Sequence, residues 1–177
     1  MFIGGTVPFG AGSLISSSYV LTAAHITIGR TPSSMQVIVG EHNLAVTGDG
    51  EQFFNVQSIL IHPLYNQSNY WAYDYSILKL ATPVTIPSAT TGVVCLPQDT
   101  SQMFVGATLA VSGWGVTSHG GSQSPALKAT VQTGISNDNC AGYYGPGNIG
   151  AWHICAIDNT TSSTGCTGDS GGECRLG

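Results

Sequence analysis

Residues 165–173 read Gly-Cys-Thr-Gly-Asp-Ser-Gly-Gly-Glu, with Ser170 enclosed by glycines on both sides. Small neighbours let a carbonyl carbon approach the serine hydroxyl, and they leave backbone N–H groups free to bind an oxyanion. In a glycine-rich chain the same sequence is also common as a simple turn. Because a serine hydroxyl is a weak nucleophile, catalysis would require a histidine base elsewhere in the chain and an acid that orients it.

Two other segments carry the side chains that such a serine needs, a histidine in one and an aspartate in the other. Thr22-Ala23-Ala24-His25 follows the apolar run Tyr19-Val20-Leu21, and Asp74 precedes the strand-like run at 75–80. An acid at the start of a buried strand is costly without a partner, so pairing with an imidazole N–H accounts for Asp74. A core histidine on a turn is the alternative interpretation of His25. The other histidines do not follow an Ala-Ala pair: His42, His62, His119 and His153.

With these three segments the chain resembles the chymotrypsin-like (trypsin-like) serine proteases, in which the triad runs in the order His, Asp, Ser. The resemblance covers essentially the whole chain, because further segments match in order: Gly113-Trp114-Gly115, Asn137-Asp138-Asn139-Cys140 and His153-Ile154-Cys155-Ala156. It implies that His25 is the base, Asp74 orients it and Ser170 is the nucleophile. The backbone N–H groups of Gly168 and Ser170 would form the oxyanion hole.

The resemblance also implies an all-β fold of two antiparallel β-barrel lobes of the chymotrypsin type. We expect a single peptidase domain over residues 1–177, with a first lobe at 1–81, an interlobe connection at 82–101 and a partial second lobe at 102–177. Relatives continue beyond the Gly-Gly pair, and they begin with an activation motif and a strand for which too few residues precede Gly10. The resemblance therefore predicts truncation at both ends and an incomplete second lobe. By resemblance Asp169 pairs with an amino group freed from a propeptide, and here it is expected to lack that partner.

Periodic patterns support the β class. Residues 36–39 and 53–61 alternate as strands do, with an acidic loop between them. From Leu127 to Ile135 the apolar positions alternate with polar residues or glycine, which predicts a half-buried strand whose apolar positions share one face: Leu127, Ala129, Val131 and Ile135. The chain holds 24 glycines and 8 prolines, which favours short strands and tight turns over long helices.

Composition excludes several classes of partner. Only 7% of the 177 residues are charged and the net charge is −5, so no basic cluster is present to bind nucleic acid or an anionic membrane. No apolar run reaches the length of a membrane span. The resemblance implies a secreted monomer that acts on protein or peptide substrates and is open to protein inhibitors.

The chain has five cysteines, so at least one is unpaired within it. The resemblance implies a disulfide between Cys140 and Cys155. It places the partner of Cys166 beyond residue 177. The sequence does not assign partners to Cys95 and Cys174. Most relatives carry one cysteine where this chain has Gly10 and another where it has Ile26. Both are absent here, which predicts a less constrained loop around His25.

The acidic loop at 40–52 resembles the calcium loop of trypsins. Carried over by position, Glu41 and Glu51 supply carboxylates, and Asn43 and Val46 supply backbone oxygens to a hard cation. A further acidic residue of that loop is replaced by Gly48. A solvated acidic loop without metal is the alternative. Catalysis itself is expected to need no cofactor.

Substrate choice is predicted to rest on Thr164, six residues before the nucleophile, where trypsins hold an aspartate. A neutral Thr164 cannot pair with lysine or arginine, so cleavage after apolar or aromatic residues is expected. The alternative function is a non-catalytic secreted serine protease homologue or an inactive fragment.

Overall fold

The fold is described from a computed structural model, which covers residues 2–4, 8–48, 50–69, 71–99, 103–118, 120–158, 165, 167–172 and 174–176. Within these residues the chain forms eleven strands: β1 Phe2–Gly4, β2 Pro8–Ala11, β3 Ser13–Ser16, β4 Tyr19–Thr22, β5 Gln36–Val39, β6 Gln52–Ile61, β7 Ser76–Leu80, β8 Thr108–Gly113, β9 Lys128–Ile135, β10 Cys155–Ile157 and β11 Cys174–Leu176. Two short α-helices, α1 Ala24–Thr27 and α2 Asn137–Tyr144, and a 3₁₀ turn at Pro32–Ser34 accompany them.

The first sheet is built from β1–β7 in the order β2-β1-β5-β6-β7-β4-β3, and all its pairs are antiparallel. The register of β4 against β7 sets Thr22 opposite Ser76. Helix α1 begins two residues after Thr22, and Asp74 lies two residues before Ser76. Because the strands run in opposite directions, this pairing brings His25 and Asp74 to the same end of the sheet.

The main core lies on one face of this sheet. Val20, Val37 and Leu78 have no exposed surface, and they alternate with exposed or half-buried neighbours on β4, β5 and β7. Each such side chain contributes about 1.5–3 kcal/mol relative to exposure. The other buried members of this cluster are Leu14, Ala23, Ile26, Met35, Val39, Phe54, Val56, Leu80 and Val84.

The second sheet has the order β10-β9-β8-β11. Its central pair, β8 and β9, is joined by six residue pairs from Thr108↔Thr133 to Gly113↔Lys128. Two backbone hydrogen bonds connect the sheets' loops, from Leu44 N–H to Pro125 O at 2.8 Å and from Leu127 N–H to His42 O at 2.9 Å. The acidic loop after β5 is therefore tied to the strand that enters the second sheet.

Strand β9 forms where it was predicted, but its predicted faces are wrong. Val131 is 60% exposed, whereas Gln132 is only 9% exposed. The cause is Gly134, where an added Cβ would collide with the carbonyl oxygen of Phe104. Only glycine permits this approach, so the backbone at Phe104 lies directly on the face of β9 that carries Gly134 and, two residues away, Gln132. Val131 lies on the opposite, open face.

The prediction of an all-β fold of the chymotrypsin type with an incomplete second lobe is confirmed. The described part of segment 82–101 contains neither helix nor strand, and the division into lobes at this segment stays a prediction. Neither helix in the described ranges has the length and apolar character needed to cross a membrane.

Candidate active site

Two hydrogen bonds join His25 to Asp74. The backbone N–H of His25 donates to Asp74 Oδ1 at 2.8 Å, and its Nδ1 lies 2.6 Å from Asp74 Oδ2. Because a carboxylate only accepts, Nδ1 carries the proton of the second bond, and a neutral imidazole keeps Nε2 as its acceptor. The two side chains are 28% and 22% exposed. The pair is therefore half-buried, with the tautomer and orientation of the ring fixed by the carboxylate.

Helix α1 holds His25 in this place. Ala24, Ile26 and Thr27 are buried, so they anchor the helix while His25 stays half-exposed. The carbonyl of Ala24 accepts hydrogen bonds from the Ile28 N–H at 2.9 Å and from Thr27 Oγ1 at 3.1 Å. These bonds close a helix of only four residues that lacks a side-chain cap.

Two aromatic side chains lie next to the pair, which sequence reasoning missed. The ring of Trp71 meets the His25 imidazole edge-on, with centroids 5.1 Å apart and planes at 78°. Burial, and then the negative charge of Asp74, raise the pKa of the Tyr65 hydroxyl above its ordinary value. The available signal was the density of aromatic residues in the segment that leads to Asp74, including Trp71 and Tyr73.

The turn that contains Ser170 lies against the strands that precede His25. The Ser170 carbonyl accepts a hydrogen bond from the Ala11 N–H at 2.8 Å. At Gly171, which has a φ of +78°, an added Cβ would collide with Thr22 Oγ1 and crowd the carbonyl oxygen of Ala11. Thr22 in turn donates its hydroxyl to the Ala11 carbonyl at 2.7 Å. The backbone of Ser170 and Gly171 is therefore seated at the ends of β2 and β4, close to the start of α1.

Asp169 is bonded to the loop that follows β8 of the second sheet. Its Oδ1 accepts the Gly115 N–H at 2.7 Å, and its carbonyl accepts the Gly172 N–H at 2.9 Å. An added Cβ at Gly113 or Gly115 would collide with the Asp169 carboxylate, so the absence of side chains at these two glycines leaves the space that the carboxylate occupies. Asp169 thus anchors the turn that includes Gly168 and Ser170, and a backbone amide is one of its partners.

Gly10 and Ile26, the positions where the resemblance led us to expect cysteines, are in contact. An added Cβ at Gly10 would lie 2.5 Å from Ile26 Cδ1, and Ile26 is 7% exposed within the main core. An apolar side chain packed over a glycine therefore occupies the place of the missing disulfide. The loop around His25 is held by this packing, by the Asp74 bonds and by Arg30 Nε, which donates to the Ile26 carbonyl at 2.8 Å.

The structure contains the disulfide between Cys140 and Cys155, with an S–S distance of 2.01 Å. It joins α2 to the start of β10. Cys95 is exposed and forms no disulfide with the described residues. Thr164 and Cys166 lie outside the described residues.

Backbone N–H groups of the acidic loop after β5 donate hydrogen bonds to oxygen atoms of the same loop. The Glu51 carboxylate accepts the Gly48 N–H at 2.5 Å and the Gly50 N–H at 3.2 Å. The Asn43 carbonyl accepts the Val46 N–H at 2.8 Å. In the ranges that the structure describes, no three His, Cys, Asp or Glu side chains are grouped to hold a metal ion. The four oxygen donors predicted here suit a hard cation by their chemistry.

The chain has known relatives. A family model described as Trypsin matches residues 2–173. Trypsin from Sus scrofa is 37% identical over 165 residues, which cover 93% of this chain and 68% of the relative. Serine protease 1 from Canis lupus familiaris is 36% identical, over 93% of this chain and 63% of the relative. Chymotrypsin-like elastase family member 1 from Macaca fascicularis is 34% identical, over 91% and 60%.

The chain therefore belongs to the trypsin family, which confirms the resemblance carried by its motifs. It spans between 60% and 68% of the length of these three curated relatives.

Gly171→Ala and Gly106→Ala test the seating of the Ser170 turn, because both glycines have a φ of +78° but only Gly171 is crowded. The left-handed backbone alone is expected to cost about 1–2 kcal/mol in either variant. Gly171→Ala is expected to lose about 1–3 kcal/mol more, because its methyl group collides with Thr22 and Ala11. Urea unfolding measures both losses, and equal losses would show that the turn does not rest on β2 and β4.

Proposed function

We propose that the protein is a serine endopeptidase in which Ser170 is the nucleophile, His25 the general base and Asp74 the acid that orients it. The observation that carries the proposal is the double hydrogen bond from His25 to the Asp74 carboxylate, in a chain of the trypsin family. It leaves the imidazole Nε2 as the acceptor that the reaction requires.

In the first half of the reaction Ser170 Oγ attacks the carbonyl carbon of the scissile peptide while His25 Nε2 takes the hydroxyl proton. The imidazolium that forms is stabilised by the negative charge of Asp74. The backbone N–H groups of Gly168 and Ser170 bind the oxyanion, a contribution whose loss typically slows catalysis about 10²–10³-fold. His25 then gives its proton to the leaving amine as the C–N bond breaks, and an acyl-enzyme on Ser170 remains.

In the second half a water molecule attacks the acyl carbon as His25 Nε2 takes its proton. The tetrahedral intermediate collapses, the proton passes to Ser170 Oγ and the carboxylic acid product leaves. Every proton is carried by His25, so the reaction requires no cofactor.

Substrate selection is proposed to rest on Thr164. By resemblance, this position forms the base of the pocket for the substrate side chain before the cleaved bond. A carboxylate there would attract a substrate cation, whereas the hydroxyl of Thr164 is uncharged. The protein is therefore expected to cleave after apolar or aromatic residues.

A structural calcium ion is proposed for the loop between β5 and β6, with the carboxylates of Glu41 and Glu51 and the backbone oxygens of Asn43 and Val46 as ligands. The hydrogen bonds from Leu44 N–H to the Pro125 carbonyl and from Leu127 N–H to the His42 carbonyl support a stabilising role, because they connect this loop to the segment that enters the second sheet. Calcium would act on stability and would take no part in the reaction.

We further propose that the protein is secreted and monomeric, that it acts on protein or peptide substrates and that protein inhibitors bind to it. The disulfide between Cys140 and Cys155 supports secretion, because such bonds persist in oxidising compartments. The net charge of −5 argues against nucleic acid and anionic membranes as partners.

The first test is covalent labelling with a fluorophosphonate, which reacts with activated serines. The purified protein is expected to be labelled, Ser170→Ala is expected to remain unlabelled, and Asp74→Asn is expected to react about 10⁴-fold more slowly because its imidazole adopts the wrong tautomer. Labelling that persists in Ser170→Ala would remove Ser170 from the proposed role. A folded wild-type protein that is not labelled would favour the non-catalytic homologue.

The second test compares peptide substrates that differ only in an arginine or a phenylalanine before the cleaved bond. We expect a higher kcat/KM for phenylalanine, and Thr164→Asp is expected to shift the ratio toward arginine because it introduces a charge that attracts the cation. A wild-type enzyme that prefers the arginyl peptide would contradict the pocket assignment.

The third test is the melting temperature with calcium or magnesium at equal ionic strength. At a hundredfold excess over its Kd, calcium is expected to raise the Tm by about 5–10 °C. Glu51→Gln should abolish the increase, whereas Asp138→Asn, an exposed acid on α2, should keep it. An equal increase in both variants would place the ion elsewhere, and no increase in the wild type would remove the site.

A further inference from the structure

The residues directly before Asp74 adopt an unusual backbone conformation. Trp71 and Tyr73 have φ values of +58° and +55°, and they flank Ala72, which is 1% exposed. Bulky residues with a positive φ are rare, and they persist only where the surrounding contacts hold them. The segment that delivers the Asp74 carboxylate is thus strained, and its shape depends on what surrounds it.

Backbone hydrogen bonds hold part of this segment. The Asn66 N–H donates to the Ala72 carbonyl at 3.0 Å, and the Ala72 N–H donates to the Asn69 carbonyl at 3.0 Å. The Tyr75 N–H donates to the Tyr73 carbonyl at 2.7 Å, directly across Asp74. These bonds all lie within the loop between β6 and β7, so they do not fix the loop against the rest of the protein.

Besides the contacts that Trp71 and Asp74 make with His25, the ring of Tyr73 provides a contact between this loop and the second sheet's part of the chain. On one side it stacks on His62, with centroids 5.0 Å apart and planes at 7°. On the other side it meets Trp152, with centroids 5.6 Å apart and planes at 32°. His62 directly follows β6 and lies in the same loop as Tyr73, whereas Trp152 precedes β10 of the second sheet. The residue next to Asp74 is therefore held between its own loop and a turn next to the second sheet.

Trp152 is itself firmly placed. Its ring covers Gly150, where an added Cβ would collide with the indole. The Gly150 carbonyl accepts Asn137 Nδ2 at 2.9 Å and the His153 N–H at 3.0 Å. Three residues beyond Trp152, Cys155 is joined by the disulfide to α2. The second lobe thus presents Trp152 to Tyr73 from an anchored turn.

We infer that Trp152 is a positioning residue for the His25–Asp74 pair, acting through Tyr73. Its ring holds Tyr73 against His62, Tyr73 fixes the strained backbone that precedes Asp74, and the Asp74 carboxylate fixes the imidazole. The inference rests on the proposed function for its effect on rate, but its structural part concerns only the hydrogen bond between His25 and Asp74.

The indole N–H of Trp152 indicates which property of the side chain matters. This atom is buried, and it makes no hydrogen bond among the described residues. Tyr73 therefore requires the aromatic surface of Trp152 and not its N–H group. A phenylalanine at this position is expected to preserve the contact.

The experiment compares Trp152→Ala, Trp152→Phe and the wild type, with Tyr143→Ala as a control because Tyr143 is 71% exposed. The first readout is the proton resonance of the imidazole Nδ1 in protein with ¹⁵N-labelled histidine, which reports the bond to Asp74 without any turnover. The second readout is the rate of fluorophosphonate labelling.

We expect Trp152→Ala to shift and broaden the Nδ1 proton resonance and to slow labelling by about 10–100-fold, because small displacements of a catalytic group are costly. Trp152→Phe and Tyr143→Ala should retain the wild-type resonance and rate. Trp152→Leu, which keeps apolar bulk without the ring, serves if the alanine variant does not fold.

A folded Trp152→Ala or Trp152→Leu variant with the wild-type resonance and labelling rate would overturn the inference. Loss of the resonance in Trp152→Phe as well would contradict the role of the ring. If the wild type shows the resonance but is not labelled, the proposed function fails, and the resonance of the variants alone then decides the inference.

Discussion

The Asp74 carboxylate and the two N–H groups of His25 form the interaction on which the candidate site depends. A half-buried carboxylate must be compensated by donors, and here one donor is a backbone amide and the other is the imidazole. Neither donor comes from the loop that carries Asp74. The interaction therefore exists only when β4 and β7 pair in the observed register, with Thr22 opposite Ser76.

Close backbone approach is the second constraint on the site. Gly171 rests on β2 and β4, while Gly113 and Gly115 leave room for the Asp169 carboxylate. A side chain at any of these positions would separate the turn of Ser170 from the elements beside it. These three glycines are thus a steric requirement for placing the turn of Ser170 against strands of both sheets, in addition to the freedom of glycine in turns.

Sequence reasoning succeeded where one pattern is repeated over neighbouring residues. Strands β5 at Gln36–Val39 and β6 at Gln52–Ile61 match the predicted runs at 36–39 and 53–61, because alternation marks a strand with one buried face. It failed for the faces of β9, which are set by Gly134 beneath the carbonyl of Phe104. That contact joins two separate segments, and no local pattern of residues encodes it.

By itself the sequence determined the family, the β class and the identity of the candidate site residues, because these follow from motifs and periodicities that lie along the chain. Only the tertiary structure decided that Ile26 packs over Gly10 in place of a disulfide, that Asp169 is bonded to the Gly115 amide and that Trp152 meets Tyr73. Each of these contacts joins segments that are distant in the sequence. Their geometry depends on strand register and on the space that side chains leave, and both are fixed only when the chain has folded.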